Sequence, residues 1–222
     1  MADCSKTTAS YGAICEVLDS EPFSAHTIPK LEEYLAEQIS EQGYDFLANK
    51  ALLKLYQFYP DMCNDEVVAQ IAVKSLMALP STDLLTLMYL IPDRLAIREP
   101  LRSLTRCYRA LESANFPEFW EAANLGANPL LDATPGFAGS VRKCILGMLS
   151  QTCQKFSKDS FAKAMNLCGA ELDAFMSENG VAADGDNVAF ELNDENQWKP
   201  KKLRETVAID ALGGIAAAVQ GF

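Results

Sequence analysis

Apolar residues return every three to four positions along most of this chain, the period of a helix that buries one face. Over 27–40 the inward positions are Leu31, Leu35 and Ile39; Thr27 stands at the N-cap position and Pro29 suits the first turn. Over 46–58 Leu47, Ala51, Leu55 and Phe58 line one face, with Ala48, Leu52 and Tyr56 beside them. That arc is wide enough to predict burial on two sides. The pattern repeats over 65–79 with Val68, Ala72, Leu76 and Leu79, and over 101–112 with Leu101, Leu104, Tyr108 and Leu111. Over 136–149 it uses Phe137, Val141, Cys144, Ile145 and Met148.

Prolines punctuate the series. Pro60, Pro80, Pro100, Pro117 and Pro135 fall roughly every 20 residues, and a proline ends one helix or opens the next. One helix and one turn per interval makes a helical pair about every 40 residues, the period of HEAT-like repeats. An irregular bundle of the same helices is the competing reading.

After about residue 150 the pattern changes. Two short helices are expected. One covers 158–167, with Phe161, Ala164 and Met165 inward; the other covers 170–179, with Leu172, Phe175 and Met176 inward. Gly169 permits the turn between them and Gly180 a left-handed C-cap. Val181 to Ala183, a turn at 184–187, and Val188, Phe190 and Leu192 alternating with Ala189 and Glu191 read as a β-hairpin. Helix, turn, helix and hairpin in this order make a winged helix. The fold expected is therefore mainly α: a HEAT-like helical-repeat domain followed by a winged helix with a small β-hairpin. The divisions are a variable segment over 1–25, the helical domain over 26–135, the winged helix over 136–205 and a tail over 206–222. A final helix over 206–219 is weakened by Gly213 and Gly214.

Composition narrows the chemistry. The chain has 222 residues, 30 of them acidic and 19 basic, for a net charge of −11. With 49% hydrophobic residues it can bury a core without disulfides or metal. Its seven cysteines contain no C-x-x-C, which points to reduced thiols and a cytoplasmic or nuclear setting. Cys107, Cys144 and Cys168 sit among apolar neighbours. The opening residues lack the apolar run of a signal peptide, and the longest apolar stretch, Leu84 to Ile91, is far short of a bilayer span. His26 is the lone histidine, which excludes H-E-x-x-H and Cys₂His₂ metal sites. No G-x-S-x-G and no phosphate-binding loop occurs, and Asp184-x-Asp186 lacks the remaining ligands of a calcium loop. The expectation is a chain without catalytic residues, cofactor or metal.

The winged helix carries unusual charge. The outward positions of its second helix are Glu171, Asp173, Ala174, Ser177 and Glu178, where a DNA reader needs cations and donors. Carboxylates there exclude DNA and favour a protein partner, with Phe190 and Leu192 of the hairpin contributing. Cations are bunched elsewhere. Arg98, Arg102, Arg106 and Arg109 form one row, and Lys199, Lys201, Lys202 and Arg204 another; each reads as a solvated face or as a dock for an acidic partner or RNA. Tyr56, Phe58, Tyr59, Phe119 and Trp120 are assigned to core packing.

A helical-repeat domain running into an acidic winged helix resembles the layout of PCI-type subunits. The stretch Tyr44 to Pro60, with Leu53-Lys-Leu-Tyr-Gln-Phe58 at its centre, is similar to the subunit K family of eukaryotic translation initiation factor 3. Gln70 to Asp83, Phe116 to Trp120, Gly136 to Lys143 and Trp198 to Lys202 resemble the same family. The likeness covers about residues 30–210. Lys50 departs from it, standing where the family usually has an apolar residue, and the first 25 residues and the glycine-containing ending lie outside it. The resemblance implies a non-catalytic subunit of a factor that binds the small ribosomal subunit, with subunit L as nearest partner. Two alternatives stay open. One is an RNA-binding adaptor using 98–109 and 199–204; the other is a PCI-type subunit of a proteasome-lid or signalosome-like complex.

Overall fold

The computed structural model describes residues 10–124, 126 and 128–198. Its helices run α1 (Tyr11–Ser20), α2 (Ile28–Ser40), α3 (Phe46–Phe58), α4 (Asp65–Met77), α5 (Asp83–Met88), α6 (Asp93–Ala96), α7 (Leu101–Glu112), α8 (Phe116–Ala123), α9 (Pro129–Asp132) and α10 (Phe137–Thr152). There follow β1 (Lys155–Ser157), α11 (Lys158–Met165), α12 (Gly169–Glu178), β2 (Ala182–Asp184) and β3 (Asn187–Ala189). This is a mainly helical chain with a small antiparallel sheet near its C-terminal end, a helical body followed by a winged helix.

Local chemistry sets the boundaries. Pro92 and Pro100 precede α6 and α7, and Pro117 and Pro129 occupy the first turns of α8 and α9, where the missing N–H is harmless. Asp45 caps α3, its carboxylate accepting from the Leu47 and Ala48 amides at 2.9 and 3.1 Å, and Asn64 caps α4 through the Glu66 amide at 3.0 Å. Thr27 departs from expectation. Its hydroxyl donates to the Ser24 carbonyl at 2.6 Å instead of capping α2, because a 3₁₀ turn over Ala25–Thr27 runs straight into that helix. Helix α1 falls in the segment read as variable, and its Ile14 is buried in the core.

Helix α4 is the hub of the body. Val68, Ala69, Ile71, Ala72, Val73, Lys74, Ser75 and Leu76 are all buried, on nearly every side of the helix. Helix α3 is rotated from its expected register. Leu47 and Phe58 face solvent, and the buried arc is Ala48, Asn49, Leu52, Leu53, Leu55 and Tyr56. The cause is polar. Asn49 and Gln38 exchange reciprocal amide hydrogen bonds, both at 3.2 Å, in the interior. The Asp45 amide donates to the same Gln38 oxygen at 2.9 Å, and the buried Lys74 ammonium donates to the Gln38 carbonyl at 3.1 Å. Turning Asn49 inward to complete this set turns Leu47 and Phe58 outward. Exposed Phe58 instead meets the Phe23 ring edge-on, centroids 5.7 Å apart.

In the winged helix the strand order is β1-β3-β2, antiparallel throughout. Strand β1 has only three residues, too few for an alternation to be read. Gly185, at φ +61°, makes the tight turn between β2 and β3. The hairpin's period-two pattern stops early. Val188 is fully buried and Phe190 half-buried with its ring edge-on to Phe161 at 6.2 Å, but Leu192 lies beyond the strand and is 67% exposed. Cys168, expected among apolar groups, is exposed at the N-cap of α12.

What replaces the strand is a strap tied to the end of α10. Asn196 is buried, and its amide donates to the carbonyls of Ser150 at 3.0 Å and Glu191 at 2.8 Å. Its own carbonyl accepts from Gln154 at 2.8 Å, and Asn193 donates to the same Ser150 oxygen at 2.8 Å. An Asn196→Ala variant removes the donors to the part-buried carbonyl contacts at Ser150 and Glu191. The expected loss is about 2 kcal/mol, read as a lower midpoint in urea denaturation; an unchanged midpoint would show that the strap contributes nothing. The final helix expected over 206–219 lies outside the described residues.

Candidate protein-interaction surfaces

The winged helix is joined to the helical body through α8. The Trp120 indole N–H donates to the Ala164 carbonyl in the last turn of α11 at 2.7 Å, and its ring packs edge-on against Phe119 at 4.9 Å. Arg142 of α10 lies over the indole, 5.4 Å from its centroid. The same guanidinium donates to the carbonyls of Met165 and Asn166 at 3.0 and 3.4 Å, closing the C-terminal end of α11. Burial lowers the Arg142 pKa, opposed by the charge of Glu171. Phe119 and Trp120 are thus core residues, as the sequence implies.

This anchoring fixes what α12 shows to solvent. Leu172 and Met176 face inward, and Glu171, Asp173, Ala174, Ser177 and Glu178 are all exposed, as expected. The acidity is partly answered from within the protein. Asp173 pairs with Lys158 at 3.1 Å, and Asp184 on the wing pairs with Lys155 at 2.6 Å. The hydrogen bond from Lys155, and then its charge, hold the Asp184 carboxyl below the usual carboxylate range. Among the described residues neither Glu171 nor Glu178 has an ion pair, although the charge of Glu171 acts on Arg142.

Beside the wing, Leu192 is joined as an exposed apolar group by Trp198, which is 90% exposed. Trp198 is an interaction candidate that the sequence reading used only as part of a resemblance. An aromatic residue bordering a polar run, outside any apolar stripe, was the signal available. Of the hairpin candidates, Leu192 is free and Phe190 is largely committed to Phe161. Lys199, Lys201, Lys202 and Arg204 lie outside the described residues.

A second surface lies on the helical body. Arg102, Arg106 and Arg109 all point outward from α7, as their positions opposite Leu101, Leu104 and Tyr108 predict. They line an open groove of about 640 Å³ with Ala96, Ile97, Thr105, Ala110, Ser113 and Glu118. Arg106 is held by Glu118 of α8 at 3.3 Å.

Burial pushes the Cys107 thiol up to about 11 and raises the Cys63 and Cys144 pKa values, keeping these thiols protonated at neutral pH. His26 is exposed in the 3₁₀ turn before α2. Among the described residues no group of His, Cys, Asp and Glu is assembled to hold a metal, and no helix is long and apolar enough to cross a membrane.

The model of the CSN8/PSMD8/EIF3K family matches residues 62–202, a span that contains the α7–α8 groove and the whole described winged helix. The chain belongs to the CSN8/PSMD8/EIF3K family. Its similarity to members of this family extends well beyond that span. The proteins named eukaryotic translation initiation factor 3 subunit K of Xenopus tropicalis and Homo sapiens are each 32% identical over 221 residues, covering 99% of this chain and all of theirs. That of Dictyostelium discoideum is 36% identical over 150 residues, covering 68% of this chain and 60% of its own. The likeness seen over residues 30–210 therefore extends towards both ends and takes in the first 25 residues and the glycine-containing ending.

Proposed function

We propose that this chain is a non-catalytic scaffold subunit of eukaryotic translation initiation factor 3, working in the cytoplasm and supporting initiation on the small ribosomal subunit through the assembled factor. Its chief neighbour in this reading is subunit L, another PCI-type subunit. The observation that carries the proposal is the winged helix with an acidic α12 face, Glu171, Asp173 and Glu178, bordered by exposed Leu192 and Trp198. Carboxylates repel phosphate, so this form of the motif suits a protein surface. A large aromatic beside an aliphatic residue is the kind of anchor that dominates protein interfaces. Full-length likeness to proteins named subunit K supports the choice of complex.

Co-purification tests this. Tagged protein expressed in its native cells should recover other initiation-factor subunits. The Leu192→Asp/Trp198→Asp variant should recover subunit L at least tenfold less while melting at the wild-type temperature, because both residues are exposed. Recovery of no initiation-factor subunit by the wild type would defeat the proposal of the complex. Undiminished recovery by the variant would defeat the proposal of the surface.

A further inference from the structure

The chain has seven arginines, and five of them, Arg94, Arg98, Arg102, Arg106 and Arg109, lie within sixteen consecutive residues. Only Glu99 opposes them in that segment, in a protein whose net charge is −11. Three of the five are occupied. Arg94 donates to the Pro60 carbonyl at 3.4 Å, Arg98 meets Asp65 at 3.8 Å, and Arg106 meets Glu118 at 3.3 Å. Among the described residues, Arg102 and Arg109 have no hydrogen-bonded or ion-paired side-chain partner. Seven positions apart on α7, they stand about 10 Å apart along the helix axis.

Between these two cations the groove changes character. Apart from Arg106 and Glu118, which pair with each other, its remaining lining groups, Ala96, Ile97, Thr105, Ala110 and Ser113, are small or aliphatic. Ile97 projects from the end of α6 and is 75% exposed, so it presents an aliphatic surface beside the groove. Behind Ala96 and Thr105, which also line the groove, lies a narrow apolar recess of about 20 Å³ between α4, α5, α6 and α7. The groove thus pairs two free cations with an unfilled aliphatic contact.

We infer that the α6–α7–α8 groove docks an acidic peptide segment of a partner protein, with carboxylates meeting Arg102 and Arg109 and an aliphatic side chain resting on Ile97. Charge complementarity selects an anionic occupant. The lining selects a peptide over RNA. No Phe, Tyr, Trp or His lines the groove to stack a base. An aliphatic shelf flanked by separated guanidinium groups suits carboxylates, which arginine binds in bidentate fashion. The groove uses none of the residues of the winged-helix proposal, so the peptide test and the Leu192/Trp198 test fail separately.

The test is fluorescence anisotropy with the full chain and fluorescein-labelled peptides. One peptide carries glutamates on both sides of two leucines; a second has the leucines replaced by serine; a third has the glutamates replaced by glutamine. Labelled oligouridine is the RNA probe. The expected result is saturable binding of the first peptide and at least several-fold weaker binding of the other two. The Arg102→Glu/Arg109→Glu variant should lose about tenfold or more, and Ile97→Ser several-fold. Glu118→Gln, which releases Arg106, should tighten binding several-fold. Melting temperatures check that the variants are folded; if the double arginine variant is not, Glu118→Gln decides alone, tightening supporting the inference and no change overturning it. Several results would overturn it: no saturable binding at millimolar peptide, equal binding by all three peptides, or undiminished binding by the folded double variant. Tighter binding of oligouridine than of peptide, lost on charge reversal and steeply with salt, would assign the groove to RNA. Self-association of the wild type abolished by the same reversal would assign it to a second copy of the chain.

Discussion

Replacing Trp120 with alanine is expected to destabilise the protein by about 3–5 kcal/mol, the largest effect of any single substitution considered. The indole is buried, holds the Ala164 carbonyl at 2.7 Å, packs on Phe119 and lies beneath Arg142. Truncation leaves a cavity between α8 and α11 and strips Arg142 of its ring contact. For a chain of this length each kcal/mol is worth about 2–4 °C in Tm, so calorimetry should record a fall of roughly 6–20 °C. Trp120→Phe separates the contributions. It keeps most of the ring but cannot donate to Ala164, and the expected loss is about 1–3 kcal/mol. A Trp120→Ala variant that melts within a degree or two of wild type would mean that the α8–α11 contact carries no stability.

The second large effect is expected at Gln38. This side chain is fully buried and meets three polar groups: the Asn49 amide through both its atoms, and the Asp45 backbone N–H. Gln38→Leu keeps the volume but leaves those groups buried without partners, at an expected cost of about 3 kcal/mol. The double variant Gln38→Leu/Asn49→Leu removes both amides together. It should be less destabilised than the sum of the single variants, because replacing both members of a buried polar pair avoids the orphaned groups. Chemical denaturation of the four proteins gives the cycle directly. Strict additivity would contradict a shared hydrogen-bonded unit.

The Gln38–Asn49 pair also marks where sequence and structure part company. Helix α7 was legible to the residue, since arginines alternate with Leu101, Leu104, Tyr108 and Leu111 at a clean helical spacing, and the same pattern placed the groove's cations outward. The acidic face of α12 was legible for the same reason. Helix α3 was not, because a hydrophobicity pattern scores Asn49 as an outward residue and cannot know that Gln38 waits eleven positions earlier to satisfy it. Strand β1 is held by pairing with β3 and has no periodicity of its own. Leu192 looked like the next inward step of an alternating strand, but the Asn193 and Asn196 contacts to Ser150 divert the chain after Phe190, and hydrogen bonds of that kind leave no apolar signature. The groove itself was half visible. Its arginines stood out, whereas Ile97 lies on a short link between α6 and α7 and gained significance only from its exposure beside them.

Helix α8 has one further consequence. It is only eight residues long, and it carries Glu118 and Trp120 two positions apart. Glu118 grips α7 through Arg106, and Trp120 grips the last turn of α11. In mechanical terms α8 is a short strut pinned at two points, one on the wall of the arginine groove and one under the winged helix. A tilt that lifts the indole from Ala164 necessarily shifts the carboxylate on Arg106, since so short a helix has no room to bend between them. Load applied by a neighbour at either surface is therefore borne by the same two turns of chain.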